Sequence, residues 1–412
     1  MKTKIILTLM TCVTPILTTW AQGSSEAIHA ILQQIENNNK ELQANNLQVA
    51  SQIIENRSSN NLTNPRISYA HLWDSKNSRE TVGEMVVSQG FDFPSLYITR
   101  GKMNRIKAQA LDAEARTLRQ QILLQAQELC LDIIMLHQQQ LLLKERLTNA
   151  EELSALYKRR LETGDANILE TNKINLELLN VRTEARANQT AIHGKMQELM
   201  TLNGNHPLNP GRALLEGQVP QPAALGLVEY PSVALPLDFK ALSEELIQND
   251  PSVQAALNQS QAAHKQVSVS KQGWLPSLEL GYRRNTESGH PLNGVVVGVS
   301  VPIFENVGKV KAAKAQALRT DFQKENTSLQ VRNNLWKLYE EAYSLQCSIK
   351  EYKDAFGQQQ DLALLKKALE GGEISMIEYF VEVAVIYQSH NNMLQLENQY
   401  QKAMAQIYQS KL

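Results

Sequence analysis

The chain repeats itself, and the repeat dictates what it can fold into. Gly90-Phe-Asp-Phe-Pro94-Ser-Leu-Tyr-Ile-Thr-Arg-Gly101-Lys102, leading to Lys107-Ala-Gln-Ala110, returns as Gly298-Val-Ser-Val-Pro302-Ile-Phe-Glu-Asn-Val-Gly308-Lys309, leading to Lys314-Ala-Gln-Ala317. Pro94 and Pro302 are 208 positions apart and Gly101 and Gly308 are 207, so one residue is lost between them. Each copy reads as a strand end, a proline and the start of a very long helix. At an offset of 211, Pro65 falls on Pro276 and Asn38 on Asn249; at 208, Leu161-Glu-Thr-Gly164 to Glu170 falls on Leu369-Glu-Gly-Gly372 to Glu378. A duplication of this extent gives both halves one order of elements: helix, strand, strand, long helix, tight turn, helix.

The strand pairs are expected at about 65–74 and 82–93, then at about 276–284 and 294–302, joined by polar turns at Ser75–Arg79 and Asn285–Asn293. Ile67, Tyr69, His71 and Trp73 alternate with polar or small residues, as do Met85, Val87, Phe91 and Phe93. Leu278, Leu280 and Tyr282 do the same, and Val295, Val297, Val299 and Val301 alternate with Gly298 and Ser300. Each run has the roughly 9 to 11 residues of a tilted membrane-crossing strand. A half-buried soluble strand alternates in the same way. The strand count carries more weight. Four strands cannot close around a lumen and an open edge cannot face lipid, so membrane strands here would require several chains in one barrel. Val295, Val297, Val299, Met85 and Val87 are the candidate lipid-facing residues.

Pro94 and Gly164 enclose 69 positions, as do Pro302 and Gly372, and neither stretch holds a proline. At about 1.5 Å per residue, each helix could approach 100 Å. Leu118, Ile122, Leu129, Ile133, Leu136, Leu143 and Leu147 keep coiled-coil spacing. The helices at about Ser24–Arg57, Asn167–Leu202, Asp238–Gly273 and Ser375–Tyr408 are half as long, so stacked pairs would match one long helix and build a tall tubular layer. Asn203–Pro236 holds six of the thirteen prolines and cannot be continuous helix. The domain plan is therefore a first repeat at 22–203, a connector at 204–237 running outside the helical layer, and a second repeat at 238–412.

The opening residues stand apart. Lys2 and Lys4 precede an apolar run from Ile5 to Leu17, and Thr19-Trp20-Ala21 supplies small residues where a signal peptidase needs them, so residues 1–21 read as a secretory signal. The rival is lipidation at Cys12, for which Met10-Thr11-Cys12 is a poor lipobox. Formal net charge is −1, from 41 basic and 42 acidic residues, which gives no reason to expect nucleic acid as a partner. The sequence holds no His-Glu-x-x-His, Walker loop, Gly-x-Ser-x-Gly or Cys-x-x-Cys. Its eight histidines are scattered, so neither catalysis, a metal site nor a cofactor is expected. Cys130 and Cys347 are not equivalent positions and imply no disulfide framework.

Val-Pro302-Ile-Phe-x-x-x-Gly-Lys-x-x-x-Ala, preceded by Asn249-Asp-Pro-Ser-Val-x-Ala-Ala and Leu275-Pro-Ser-Leu and followed by Leu369-Glu-Gly-Gly-Glu-x-x-x-Ile-Glu378, resembles the TolC-type outer-membrane efflux proteins. The resemblance covers essentially the whole chain after the signal. It implies a helix-dominated membrane protein with β hairpins: a homotrimer whose twelve strands form a β-barrel in outer-membrane lipid, continued by a periplasmic α-helical barrel closed at its tip. The implied function is a passive duct, with a periplasmic adaptor and an inner-membrane pump as partners. It also implies that Glu170 and Glu378 line the entrance, the alternative being that both are solvated carboxylates favoured near a helix N-terminus, and that the turns at Gly164, Asp165, Gly371, Gly372 and Glu373 meet the adaptor. The family's next acidic position is Val381 here, Lys40 stands where the second repeat has Pro251, and Ser95-Leu-Tyr replaces Ile-Phe. The alternative is a periplasmic or surface coiled-coil scaffold, which leaves the paired hairpins and the duplication unexplained.

Overall fold

The computed structural model describes residues 19–73, 81–165, 167–208, 220–287, 290–358 and 362–412. Most of the expected signal segment, Cys12 and the first hairpin turn fall outside them. In chain order come α1 (Thr19–Asn38), α2 (Lys40–Ser58), β1 (Arg66–Trp73), β2 (Thr81–Phe91), α3 (Pro94–Thr163), α4 (Ile168–Leu202), α5 (Phe239–Asn249) and α6 (Pro251–Gln272). They are followed by β3 (Ser277–Glu287), β4 (His290–Ser300), α7 (Lys309–Gln358), α8 (Leu362–Gly371) and α9 (Met376–Ile407). The chain is helix-dominated with one small antiparallel sheet, and it divides into two compact units.

One unit comprises residues 41–119 and 240–335. Its sheet has the order β1-β2-β3-β4, every pair antiparallel, so the two hairpins of the repeat meet at a β2–β3 seam. The second hairpin is longer than its polar sequence predicts. Asn285, Thr286 and Glu287 pair with Leu292, Pro291 and His290, and Pro291 is tolerated because β4 is an edge strand. Beneath the sheet, Leu96 and Met103 of α3 bury against Val269 of α6. Further along, small buried residues such as Ala110, Ala113, Ala262, Ala263, Ala313 and Ala317 permit close helix packing. Asp250 caps α6, accepting from the amides of Ser252 at 2.8 Å and Val253 at 3.2 Å, with Pro251 as first helical residue.

The other unit comprises residues up to 40, 120–239 and 336–412. Ile122, Leu129 and Ile133 of the predicted seam are buried on α3, whereas Leu136, Leu143 and Leu147 are half-buried. Cys130 lies fully buried in the same stripe, and burial pushes its thiol up to about 12, consistent with a packing role. The connector's described part runs past α9, α7 and α3. Tyr400 donates to the Val233 carbonyl at 3.1 Å, Tyr339 to that of Pro236 at 3.3 Å and Gln138 to that of Val228 at 3.5 Å.

Four helix expectations change; the one expected at Asp238–Gly273 is α5 and α6, divided at Asp250, which caps the second. The first helix is two, broken at Asn39, because the Asn39 amide donates to the Leu202 carbonyl at 2.9 Å and so closes the end of α4. The second long helix begins not at Pro302 but at Lys309, after a run of turns ended by Gly308 at φ +82°. Buried Asn306 holds that run in place by donating to the Gly273 carbonyl. Toward Gly372 the expected single helix is described as α7 and α8, with residues 359–361 outside the description.

Candidate functional site

Two places concern function, one in each unit. In the sheet, the register decides which side chains share a face. Val295 opposes Tyr282, Val297 opposes Leu280 and Val299 opposes Leu278, while Tyr282 opposes Val87 and Leu278 opposes Phe91. Val87 and Met85 oppose Ile67 and Tyr69. All five candidate lipid-facing residues therefore stand on one face, apolar but for Gln89 in its middle and polar residues, His71 and Arg284 among them, toward its hairpin end. It is not covered within the chain: Val295 is 80% exposed, Val297 69% and Val299 60%. The opposite face carries Arg283, bonded to Glu84 at 2.9 Å, and Glu279, which lies beside Gly298. An exposed apolar face is costly in water, at roughly 25 cal/mol per Å². Among the described residues, no helix is long and apolar enough to cross a membrane.

At the far ends of α3 and α8 the two repeats make the same turn. Gly164 has φ +80° and Gly372 φ +75°, a region a side chain would strain. Gly164 N–H donates to Leu161 at 3.2 Å and Asp165 N–H to Arg160 at 2.7 Å; Gly372 N–H donates to Leu369 at 3.2 Å and Glu373 N–H to Ala368 at 2.8 Å. These are two Schellman motifs. Gly371 is the last residue of α8, and Asp165 and Glu373 are exposed.

The returning helices then start alike. The Asn167 side chain accepts from Leu169 N–H at 3.0 Å, and Glu170 accepts from Asn167 N–H at 3.1 Å. Ser375 accepts from Glu378 N–H at 3.3 Å, and Glu378 accepts from Ser375 N–H at 2.7 Å. Both candidate entrance carboxylates are thus the acidic members of capping boxes. Asn-x-x-Glu and Ser-x-x-Glu are legible in the sequence, and they give the helix-N-terminus alternative its specific form. The Ser375 N–H bond, followed by the Ser375 hydroxyl, holds the Glu378 carboxyl below the usual range. The two are not equivalent in setting: Glu378 is exposed, whereas Glu170 is half-buried and its charge raises the Tyr157 phenol, though less than burial does.

Below these caps Leu153 and Tyr157 of α3, Ile174 of α4, Leu369 of α8 and Met376, Tyr379, Val383 and Tyr387 of α9 form one buried cluster. Arg146 of α3 binds Glu177 through two nitrogens at 2.9 and 2.6 Å and Glu184 at 3.0 Å, both on α4. Its guanidinium also lies 5.5 Å from the ring centre of Tyr387, whose hydroxyl accepts from Asn149 at 3.1 Å. Arg146 therefore ties both returning helices to α3. The sequence signal was present but unread: Glu177 and Glu184 are seven residues apart on one face. Among the described residues no group of three or more His, Cys, Asp or Glu could hold a metal ion.

Residues 242–410 match the family model described as outer membrane efflux protein. No curated protein matches. Among solved structures, the chain is similar to CusC, reported with conformational changes accompanying folding and transmembrane channel formation, at 16% identity over 93% of this chain and 92% of that one, TM-score 0.76. It is similar to the outer membrane protein VceC from Vibrio cholerae at 14% identity over 95% and 97%, TM-score 0.73. It is also similar to the Campylobacter jejuni CmeC outer membrane channel at 14% identity over 98% and 90%, TM-score 0.71.

Proposed function

We propose that this chain is the outer-membrane duct of a tripartite efflux or secretion system, a reading supported by the match of residues 242–410 to the outer membrane efflux protein model and by a fold similar to that of outer-membrane channels over nearly its whole length. The observation that carries this reading is the sheet: one apolar exposed face, one polar face, and two open edges at β1 and β4. Lipid removes the cost of the apolar face. Open edges are forbidden in lipid, so β4 of one copy pairs with β1 of the next. Three copies supply twelve strands, and the helices continue the wall into the periplasm. No helix dipole, nucleophile or metal is asked to do chemistry; the protein conducts, and an inner-membrane pump coupled through a periplasmic adaptor supplies the energy.

The exposed turns at Gly164–Asp165 and Gly371–Glu373 are the surfaces for the adaptor. At the entrance, Glu170 and Glu378 are the carboxylates of the ring about the three-fold axis. Each of Glu170 and Glu378 uses one oxygen on its cap, so the other is free to face a passing cation. Crosslinking in mild detergent is expected to give a three-step ladder, and single-channel recording of the Glu170→Ala, Glu378→Ala double variant a loss of cation selectivity and of block by trivalent cations. A stable monomer with its strands formed overturns the duct. Unchanged selectivity in an assembled double variant leaves the duct standing and reduces both residues to helix caps.

A further inference from the structure

The apolar face of the sheet ends, at its hairpin end, on a cation for which the described residues hold no counter-ion. Arg284 follows Leu278, Leu280 and Tyr282 on that face, opposite Met85 of β2 and Asn293 of β4, and its side chain is exposed. Its neighbour Arg283 faces the other way and is paired with Glu84 at 2.9 Å. Among the described residues, alternation puts both Glu84 and Glu279 on the face away from Arg284, and no Asp or Glu stands beside it. Burying a cation against apolar neighbours is unfavourable unless an anion or water meets it.

What surrounds Arg284 has the chemistry of an anion cradle. Gly83 is the floor: a Cβ there would lie 2.8 Å from both the Tyr69 hydroxyl and Thr286 Oγ1, so the missing side chain is what lets the tyrosine lean over β2 toward β3. Thr286 is itself fixed, donating to the Gly83 carbonyl at 3.0 Å and accepting from its N–H at 3.1 Å. His71 stands opposite Gly83, and Trp73 beyond it is 70% exposed. Tyrosine, tryptophan and a long cation at the edge of an apolar band make up a membrane boundary, where a guanidinium reaches out of the hydrocarbon to the headgroups.

We infer that Arg284, with the Tyr69 hydroxyl across Gly83, binds the phosphorylated headgroup of a lipid in the outer leaflet. The guanidinium fork fits two phosphate oxygens, and the phenol can donate to a third. The inference rests on the reading of the sheet as membrane-spanning, with its hairpin end outward because the helices leave from the opposite end.

The test uses the full-length protein in phosphatidylcholine vesicles containing either diphosphorylated lipid A or the same lipid dephosphorylated. Flotation reports insertion, and native mass spectrometry of the recovered protein reports retained lipid. The wild type is expected to retain the phosphorylated form about five-fold better, as one cation near an anionic headgroup provides. Arg284→Gln should abolish that preference, and Arg283→Gln, on the other face, should keep it. If Arg284→Gln does not float, Arg284→Lys keeps the charge and loses the fork, and is expected to show a reduced preference. Equal preference in wild type and the Arg284 variant that floats overturns the proposal, as does displacement of the lipid by millimolar inorganic phosphate, which would make this a site for the free ion. Failure of the wild type itself to float overturns the membrane reading and this inference together, an outcome distinct from normal insertion without phosphate preference.

Discussion

At the turns that end α3 and α8, the two repeats coincide down to individual hydrogen bonds; at the junctions where strand passes into long helix, they part. Gly164 and Gly372 take the same left-handed conformation and feed capping boxes with the same acidic member. By contrast Pro94 starts α3 directly, with Gly101 inside the helix, whereas Pro302 is followed by turns and Gly308, at φ +82°, stands just in front of α7. The lost residue between proline and glycine lies here. A turn closed by its own backbone survives duplication because all its determinants travel together, while a junction whose form depends on Asn306 reaching the Gly273 carbonyl drifts when that partner is absent from the other copy.

The largest expected effect separates the two hairpins. Lys at Val297, in the middle of the exposed apolar row, should cost about 2 to 4 kcal/mol of insertion free energy at the bilayer midplane. Lys at Gln89, the polar member of the row in the first hairpin, should cost much less, and Lys at Ser300, on the opposite face, should be tolerated. Refolding into vesicles with the variants side by side measures this; equal yields would mean that Val297 and Ser300 do not stand on the lipid face and the opposite face of a sheet in the membrane.

Next comes a difference of sign at aligned glycines. Gly308→Ala should destabilise by about 1 to 2 kcal/mol because its backbone is left-handed. Gly101→Ala should stabilise by up to about 1 kcal/mol, since Gly101 is helical and a Cβ would meet only the Asn60 amide at 3.8 Å. Denaturant midpoints of the two variants check it, and the same sign for both would erase the contrast between junctions.

The caps should agree where the junctions disagree. Asn167→Ala and Ser375→Ala should each cost about 1 kcal/mol, read as faster amide exchange in the first turns of α4 and α9. The smallest effect is a pH dependence. The folded carboxyl of Glu378 titrates below its unfolded value, so its contribution is fully present above the unfolded value and lost as pH falls through the folded one. The protection of the Ser375 amide, measured against its intrinsic exchange rate at each pH, should accordingly fall on acidification, and Glu378→Gln should remove that fall.

Strands, turn glycines and the order of elements were legible because alternation, a positive-φ glycine and a proline at a helix start are local signals. The break at Asn39 was not, since it depends on the Leu202 carbonyl 163 residues away. The Arg146 clasp is equally non-local: the sequence shows a cation in a leucine-rich stripe, and only packing brings Glu177, Glu184 and Tyr387 to it. Glu170 and Glu378 align in sequence, yet one is half-buried beside Tyr157 and the other exposed, because the helices around them differ.

The β2–β3 seam has a consequence for how the chain acquires its structure. Each hairpin closes a short loop, but Gly83 meets Thr286 only after some two hundred intervening residues have been made. Local hairpins are therefore early and cheap in loop entropy, and the sheet is late. Until the second hairpin emerges, the first exposes an unsatisfied β2 edge and a row of apolar side chains in an aqueous compartment, the combination that invites misassembly with other strands. The nascent first half is accordingly the stage at which this chain depends most on an escort, and a chain stopped between the repeats should aggregate where the complete one does not.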